Sequence, residues 1–481
     1  MQIEKENSSS SAPTPQSAGD AAAPASDVTL LLAKSLRLQS LTPPESLFAG
    51  LSWKIAPQPL VISSALQQEL ESMGRVVLQF YKAVNLLYRY SVEGKAPAWV
   101  AQWLDIGKPP ELISLQRSEF MRNRMPAVLR PDIILSADAT GALRPKIVEL
   151  DSVPGGIGLT AFFNQAYAVL GDKVLGGSTG MLEGFASIFG SASKVHIVVS
   201  DEAATYRPEM QWLCQQLNQL EASQRFVLQD QNFRTPASGE AVYRFFELFD
   251  LANIPAAQQL FAQANRSKKD NPLLLTPPPR PIFEEKMLTA LLWNGNLAEF
   301  WRRELGEKFL KRMKDWTPET WLMVPGELPA HAAIPGLGIT SWSQLEHFSQ
   351  RERALVIKVS GFSDLAWGSR SVTVGSDCSQ AEWKQAIDTA LGSFHKSPYV
   401  LQRFYKPALI PSFQFDPATQ AVVPFNAKVR ICPYFFIQGE QEKARAVLSG
   451  ALATLCPPDK KIIHGMQDAA LSCVGVGSNQ R

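Results

Sequence analysis

The residues of this 481-residue chain best suited to chemistry stand in one stretch, Arg130-Pro131-Asp132 through Glu149-Leu150-Asp151, which reads as a β-hairpin. With Thr140 and Gly141 as the two central residues of its turn, Asp132 falls opposite Glu149. The two-residue period of a strand then sets Arg130 and Asp151 on the same face. Three carboxylates on one face repel strongly unless a divalent cation neutralises them, and Mg²⁺ prefers one or two carboxylates with phosphates completing its octahedron. Taken alone, the hairpin reads more readily as a solvated polar strand face.

A second stretch suits phosphate. Residues 354–360 form a short apolar run carrying Lys358, the glycine-bounded loop 361–369 contains Gly361, Trp367, Gly368 and Ser369, and 371–375 is β-rich again. Glycines let backbone N–H groups turn toward an anion, and a lysine on the adjoining strand supplies a point charge. An ordinary hairpin with a snorkelling lysine has the same pattern. Ser379-Gln380-Ala381-Glu382 is a capping box opening a helix over 381–391, and 399–404 is a further strand, giving the order β-loop-β-α-β. In a later strand, 426–432, Lys428 and Arg430 share one face while Val429 and Ile431 share the other. That spacing suits a polyphosphate and also a solvated sheet face.

The elements that must hold these residues are legible in outline. Residues 1–27, rich in Ser, Ala, Pro and Gln, lack a periodic apolar pattern and are expected to be a disordered tail. From 28 to 120 the pattern is helical, with Leu70, Met73, Val76, Val77 and Phe80 on one stripe. Residues 121–190 hold the carboxylate hairpin and the run Gly155-Gly156-Ile157-Gly158, which lacks the full dinucleotide fingerprint. Over 191–281, an apolar strand at 194–200, a helix with Pro208 in its first turn, and strands at 225–228 and 241–245 predict a small α/β layer with parallel pairing. Pro277-Pro278-Pro279-Arg280-Pro281 then punctuates the chain, and 282–481 begins with a helical region from Phe283 to about Met313.

Composition narrows the class. A hydrophobic content of 45% supports more than one core, and 47 basic against 45 acidic residues provide no large field for nucleic acid. Cys214, Cys378, Cys432, Cys456 and Cys473 show no Cys-x-x-Cys spacing, against both zinc and a disulfide framework. Without a signal-peptide core or a bilayer-length apolar run, a cytoplasmic protein with no membrane partner is expected. There is no Gly-x-x-x-x-Gly-Lys-Ser/Thr loop, Gly-x-Ser-x-Gly elbow or His-Glu-x-x-His helix. His464, near Lys460 and Lys461, reads as structural rather than catalytic.

Together these segments resemble the ATP-grasp constellation, and their order, metal set first and lysine strand afterwards, resembles circularly permuted ATP-grasp proteins such as the synthetase domain of glutathionylspermidine synthetase. Arg130-Pro131-Asp132 looks like that family's Arg-x-Asp and Glu149-Leu150-Asp151 like its Glu-x-Asn, and the similarity continues through 242–248, 286–293 and 450–456. The resemblance implies a mixed α/β (α+β) fold: a circularly permuted ATP-grasp core with a small Rossmann-like pre-ATP-grasp layer domain and an N-terminal helical region. It implies an ATP- and Mg²⁺-dependent ligase that phosphorylates a small-molecule or peptide carboxylate and lets an amine attack the acylphosphate. On that basis Asp132, Glu149 and Asp151 hold Mg²⁺, while Lys358, Gly361, Gly368, Ser369, Lys428 and Arg430 contact the triphosphate. Gln402, Arg403 and Phe404 meet the adenine edge, Arg130 stabilises the transferring phosphoryl group, and Gly155, Gly156 and Arg244 border the acceptor.

Asp151 stands where the family usually has Asn, an added charge that keeps an oxygen ligand. No second ATP-binding lysine is placed, since Lys384 lies on a helix and Lys396 in a loop, and the amidase domain fused to some relatives has no counterpart ahead of residue 120. A catalytically inactive nucleotide-binding scaffold or sensor, or a small-acid kinase, are the alternatives.

Overall fold

The computed structural model describes residues 25–42, 54–266, 273–326, 332–366, 370–439, 443–460, 463 and 468–477. Along the chain come β1 (Lys54–Ile55), β2 (Leu60–Ile62), β3 (Val128–Ala137) and β4 (Leu143–Asp151), then β5 (Val195–Val199), β6 (Phe226–Asp230), β7 (Ala241–Phe245) and β8 (Leu274–Thr276). They are followed by β9 (Thr320–Leu322), β10 (Leu355–Val359), β11 (Thr373–Val374) and β12 (Tyr399–Arg403), and by β13 (Leu409–Asp416), β14 (Ala421–Gln438), β15 (Arg445–Cys456) and β16 (Ala470–Val476). The first and last groups make one eight-stranded sheet, β1-β16-β15-β14-β3-β4, with β13 added to β14 and β2 to β16. The two middle groups make separate four-stranded sheets: β6-β5-β7-β8, parallel throughout, and β11-β10-β12-β9, antiparallel throughout.

The large sheet is buried on both faces, as the alternation within β14 requires. Val429 and Ile431 enter the core built on the helix Ser64–Val92, whereas Cys432 and Tyr434 enter the core built on the helix Ile157–Val169. Ser63 starts the first of these helices by accepting the Leu66 N–H on its Oγ at 3.3 Å. The stripe Leu70, Met73, Val76, Val77 and Phe80 is its buried face. At roughly 1.5–3 kcal/mol for each large apolar side chain, this burial outweighs the few tenths contributed by helix propensity.

The structure alters several boundaries. The helix Ala25–Leu41 begins inside the expected tail, whose residues 1–24 lie outside the described ones. The N-terminal region is not wholly helical: β1 and β2 pair parallel to β16. Strands of two and three residues carry no readable period, and only a partner from the far end of the chain makes them strands. The helical region after Pro281 is broken into a 3₁₀ turn Pro281–Glu284, the helix Met287–Trp293, a second turn Gly295–Leu297, and the helix Ala298–Trp316, which bends at Gly306. The capping box is present as expected, with Ser379 Oγ accepting from Glu382 N and the Glu382 carboxylate accepting from Ser379 N.

The carboxylate hairpin reaches its expected facing by an unexpected route. Its turn is one residue longer than a two-residue turn: Asp138 N donates to Ala142 O at 2.9 Å, Gly141 N donates to Asp138 O at 2.9 Å, and Gly141 takes φ +83°. That register pairs Ile133 with Ile147 and would turn Glu149 to the other face. A bulge at Val148 restores the pairing, so Asp132 lies opposite Glu149 and Arg130 opposite Asp151.

Candidate active site

A cleft of about 350 Å³ lies where the three sheets meet. The large sheet contributes Arg130, Asp132 and Ile134 from β3, Val148, Glu149 and Asp151 from β4, and Arg430 from β14. The antiparallel sheet faces them with Val356, Lys358, Gln402 and Arg403, followed by Phe404 and Tyr405. The residues just past β5 and at the end of β7, Ser200, Glu202, Tyr206, Phe245, Phe246 and Glu247, close a third side. Carboxyl ends of parallel strands are a recurrent place for ligands.

Charge compensation inside this cleft comes from protein cations. Arg130 Nε lies 2.9 Å from Asp132 Oδ1 and its Nη2 lies 2.8 Å from Asp151 Oδ2, while its Nη1 donates to the Gly155 carbonyl at 3.0 Å. Arg430 Nη1 lies 3.2 Å from Asp132 Oδ2, and Lys286 Nζ lies 3.0 Å from Glu149 Oε1. The repulsion expected among the three carboxylates is therefore relieved by Arg130, Arg430 and Lys286. Among the described residues, no three metal-ligating side chains are gathered into a cage.

These pairs set the protonation states. Burial pulls the Arg130 guanidinium down, but Asp132 and Asp151 outweigh it and hold it well above its ordinary value. For Glu149 burial works upward, and Lys286 and Lys358 overcome it, keeping the carboxyl below its usual range. Asp151 is the opposite case: burial, with Asp132 and Glu149 adding to it, outweighs Arg130 and raises the carboxyl. Glu149 is nonetheless the most open of the three, with 38% of its side chain exposed into the cleft.

Lys358 projects from β10 and donates to the carbonyl of the bulged Val148 at 2.7 Å and to Gln402 Oε1 at 3.1 Å. Gln402 is held in turn by donating to Thr320 Oγ1 at 3.1 Å. Burial, opposed by Glu149 and aided by Lys286, pushes the Lys358 ammonium down to about 8. A group so displaced loses its charge near pH 8 rather than above pH 10, as functional lysines often do.

Other expected site residues stand at the rim of the cleft or away from it. Arg244 is fully buried and donates to Glu284 and to the Phe246 and Pro277 carbonyls, so it belongs to the packing behind the cleft. Lys428 lies outside the cleft lining, its Nζ donating to the Lys460 carbonyl at 2.8 Å. Arg403 is a rim residue paired with Glu319 at 2.8 Å. The N–H groups of Arg403 and Phe404 already donate to Glu319 O and Ala354 O, so they are not available to an adenine edge. Gly361 lies outside the cleft lining, and Trp367, Gly368, Ser369 and His464 fall outside the described residues.

The glycine run takes two parts. Gly155 lines the cleft, its carbonyl accepting from Arg130 and from Tyr434 Oη. Gly156, at φ +86°, caps the helix Ile157–Val169 in the left-handed region that glycine enters without strain. The N–H groups at that helix end are taken up from below by Glu209, whose Oε1 accepts from Gly158 N at 2.9 Å. Burial pushes the Glu209 carboxyl up to about 7 against the pull of those N–H groups.

Lys286 is the residue that sequence reasoning missed. It lies inside the segment 286–293 that carries part of the family resemblance, where the helical pattern makes it one position of a long helix. The structure places it before the helix Met287–Trp293, with its ammonium on Glu149 and on the Ala366 carbonyl at 3.0 Å. Burial alone would lower it, and Glu149 instead raises it. Together Arg130, Lys286, Lys358 and Arg430 make a cationic wall that can receive an anion bearing several charges, beside apolar surface from Ile134, Val148, Val356 and Phe404.

No protein-family model matches the sequence, and no curated protein matches it. The fold is similar to that of a glutathione synthetase-like effector from Globodera pallida in its apo form. The TM-score is 0.55 over 94% of this chain and 98% of that one, at 13% sequence identity. At that identity the likeness is one of fold alone, a mixed α/β arrangement. No helix among the described residues is long and apolar enough to cross a membrane.

Proposed function

We propose that this chain is an ATP-dependent ligase of the circularly permuted ATP-grasp type, joining a small-molecule or peptide carboxylate to an amine through an acylphosphate. The observation that carries this reading is the convergence of Arg130, Lys286, Lys358 and Arg430 with Asp132, Glu149 and Asp151 in one cleft of a glutathione synthetase-like fold. Phosphoryl transfer asks a protein for position and for charge aimed at developing charge rather than for covalent work. Lys286, Lys358 and Arg430 neutralise the triphosphate, and Ile134, Val148, Val356 and Phe404 give the base an apolar surround. Arg130, fixed by two carboxylates and a carbonyl, stabilises the transferring phosphoryl group. Glu202 and Glu247 with Tyr206 and Phe245 form the acidic and aromatic end of the cleft that receives the amine.

Mg²⁺ fits this donor set as an ion shared with phosphate, because Asp132, Glu149 and Asp151 offer hard oxygens to one cleft without forming a cage. The formal charge balance agrees: in the cleft lining Arg130, Lys286, Lys358, Arg403 and Arg430 match Asp132, Glu149, Asp151, Glu202 and Glu247, so a triphosphate of about four negative charges leaves a negative excess for a divalent cation to offset. Bound there, with Glu149 as its most open ligand, the ion would offset charge on the phosphate oxygens during transfer.

An ADP-release assay crossing pooled carboxylic acids and peptides with pooled amino acids and polyamines tests the reaction. Release requiring both an acid and an amine is expected. Release with an acid alone marks a small-acid kinase, and ATP binding without release by any pair marks a scaffold.

The Lys358 ammonium gives a pH dependence. In the folded chain it is charged below about 8, whereas unfolded it stays charged up to its ordinary 10.5. Stability therefore rises as pH climbs between those values, because the unfolded state holds the extra proton, while charge available to an anion is lost. Tripolyphosphate affinity is expected to be highest below pH 8 and to fall by up to about tenfold per pH unit above it. Lys358→Met should flatten that profile. A wild-type affinity constant from pH 7 to 9.5 removes Lys358 from the site.

A further inference from the structure

We propose that Lys108 is a positioning residue for the cleft: its buried ion pair with Glu285, extended through Ser360, ties together the segments that carry Lys286 and Lys358. The assignment of a purpose to those two lysines rests on the nucleotide reading above; the tether itself rests on geometry.

Lys108 follows the helix Ala98–Asp105 and reaches Glu285 with an Nζ–Oε1 distance of 2.6 Å, both side chains 1% exposed. The other Glu285 oxygen accepts from Ser360 Oγ. Ser360 Oγ accepts from Met287 N at 2.9 Å, and the Ser360 carbonyl accepts from Lys286 N at 2.8 Å. Glu285 immediately precedes Lys286, and Ser360 stands two residues after Lys358, so the relay brackets both lysines. The segments touch so closely that a Cβ on Gly361 would sit 2.5 Å from the Glu284 carbonyl, which explains glycine at that position without any phosphate contact. None of Lys108, Glu285 or Ser360 lines the cleft.

A buried ion pair is weak evidence for net stability, because desolvation offsets most of the attraction, and its best-attested use is to specify one arrangement over others. Here the arrangement specified is the spacing of two ammonium groups across one cleft. Supporting residues of this kind decide whether a charged site is held to the fraction of an ångström that its chemistry needs.

The test compares full-length wild type with Lys108→Met/Glu285→Gln, which removes both buried charges together, and with Ser360→Ala, which removes only the hydroxyl link. Lysine acetylation by limiting acetic anhydride is mapped by mass spectrometry, alongside MgATP titration. In wild type Lys286 is held on Glu149 and Ala366 O, and Lys358 on Val148 O and Gln402. Release of the tether is expected to speed acetylation of both by about fivefold or more and to weaken MgATP binding about tenfold, while exposed Lys311 and Lys384 react as before. Wild-type rates at Lys286 and Lys358 in both variants overturn the proposal. Faster acetylation, in a protein whose wild type binds no MgATP, upholds the tether and removes the nucleotide reading instead.

Discussion

Arg130→Ala is expected to lower turnover of a productive acid and amine pair by about a hundredfold or more while leaving MgATP affinity within a few-fold. The asymmetry follows from where the guanidinium stands: it is committed to Asp132, Asp151 and the Gly155 carbonyl, at the junction between the cationic wall and the acidic end of the cleft. A group fixed in that way adds little to ground-state binding and most to charge that appears during transfer. The same contacts make the variant less stable, since breaking a buried pair costs about 3–5 kcal/mol when one charge is left behind. Kinetics therefore belong below the melting temperature measured for the variant itself. Arg130→Lys separates the effects: it returns a charge to the two aspartates, but a single ammonium cannot replace a planar fork that serves three acceptors. Recovery of stability without recovery of turnover is expected. Wild-type turnover in Arg130→Ala would retire the ligase mechanism.

Lys286→Ala is expected to weaken MgATP binding by about ten- to a hundredfold, corresponding to roughly 1.5–3 kcal/mol for a charge-assisted hydrogen bond. Isothermal titration calorimetry reads this directly. Lys428→Ala serves as the contrast, with affinity within about twofold of wild type, because that ammonium reaches the Lys460 carbonyl outside the cleft and an exposed or rim charge contributes at most a fraction of this. The pair reverses the ranking that strand alternation suggests. If Lys286→Ala binds as wild type does while Lys428→Ala loses affinity, the cationic wall has been assigned to the wrong residues.

The hairpin shows how a local pattern can reach the right facing through the wrong register. A two-residue turn at Thr140-Gly141 brings Asp132 opposite Glu149; the chain instead makes a longer turn and cancels the slip with a bulge at Val148, whose carbonyl then receives Lys358. Which face the carboxylates share was legible because the period of a strand is local. Where the extra residue goes was not, because the contact made at the bulge comes from outside the hairpin, from Lys358 of another sheet.

What the sequence by itself determined is therefore what short-range sterics and periodicity determine. The capped helix Gln380–Gly392 and the buried stripe on Ser64–Val92 are of this kind, as are the strand carrying Lys358 and the parallel layer around β5. What only the tertiary structure decided is which charged side chains meet. Arg244 and Lys428 carry the charge of site residues yet are turned to Glu284 and to Lys460 O, while Lys286, read as one position of a helix, becomes the partner of Glu149. Periodicity says which face of an element a residue takes. The partner across a cleft is set by the packing of sheets joined from both ends of the chain, and in a low-dielectric interior each buried charge must find a counter-charge or a hydrogen-bonding partner there.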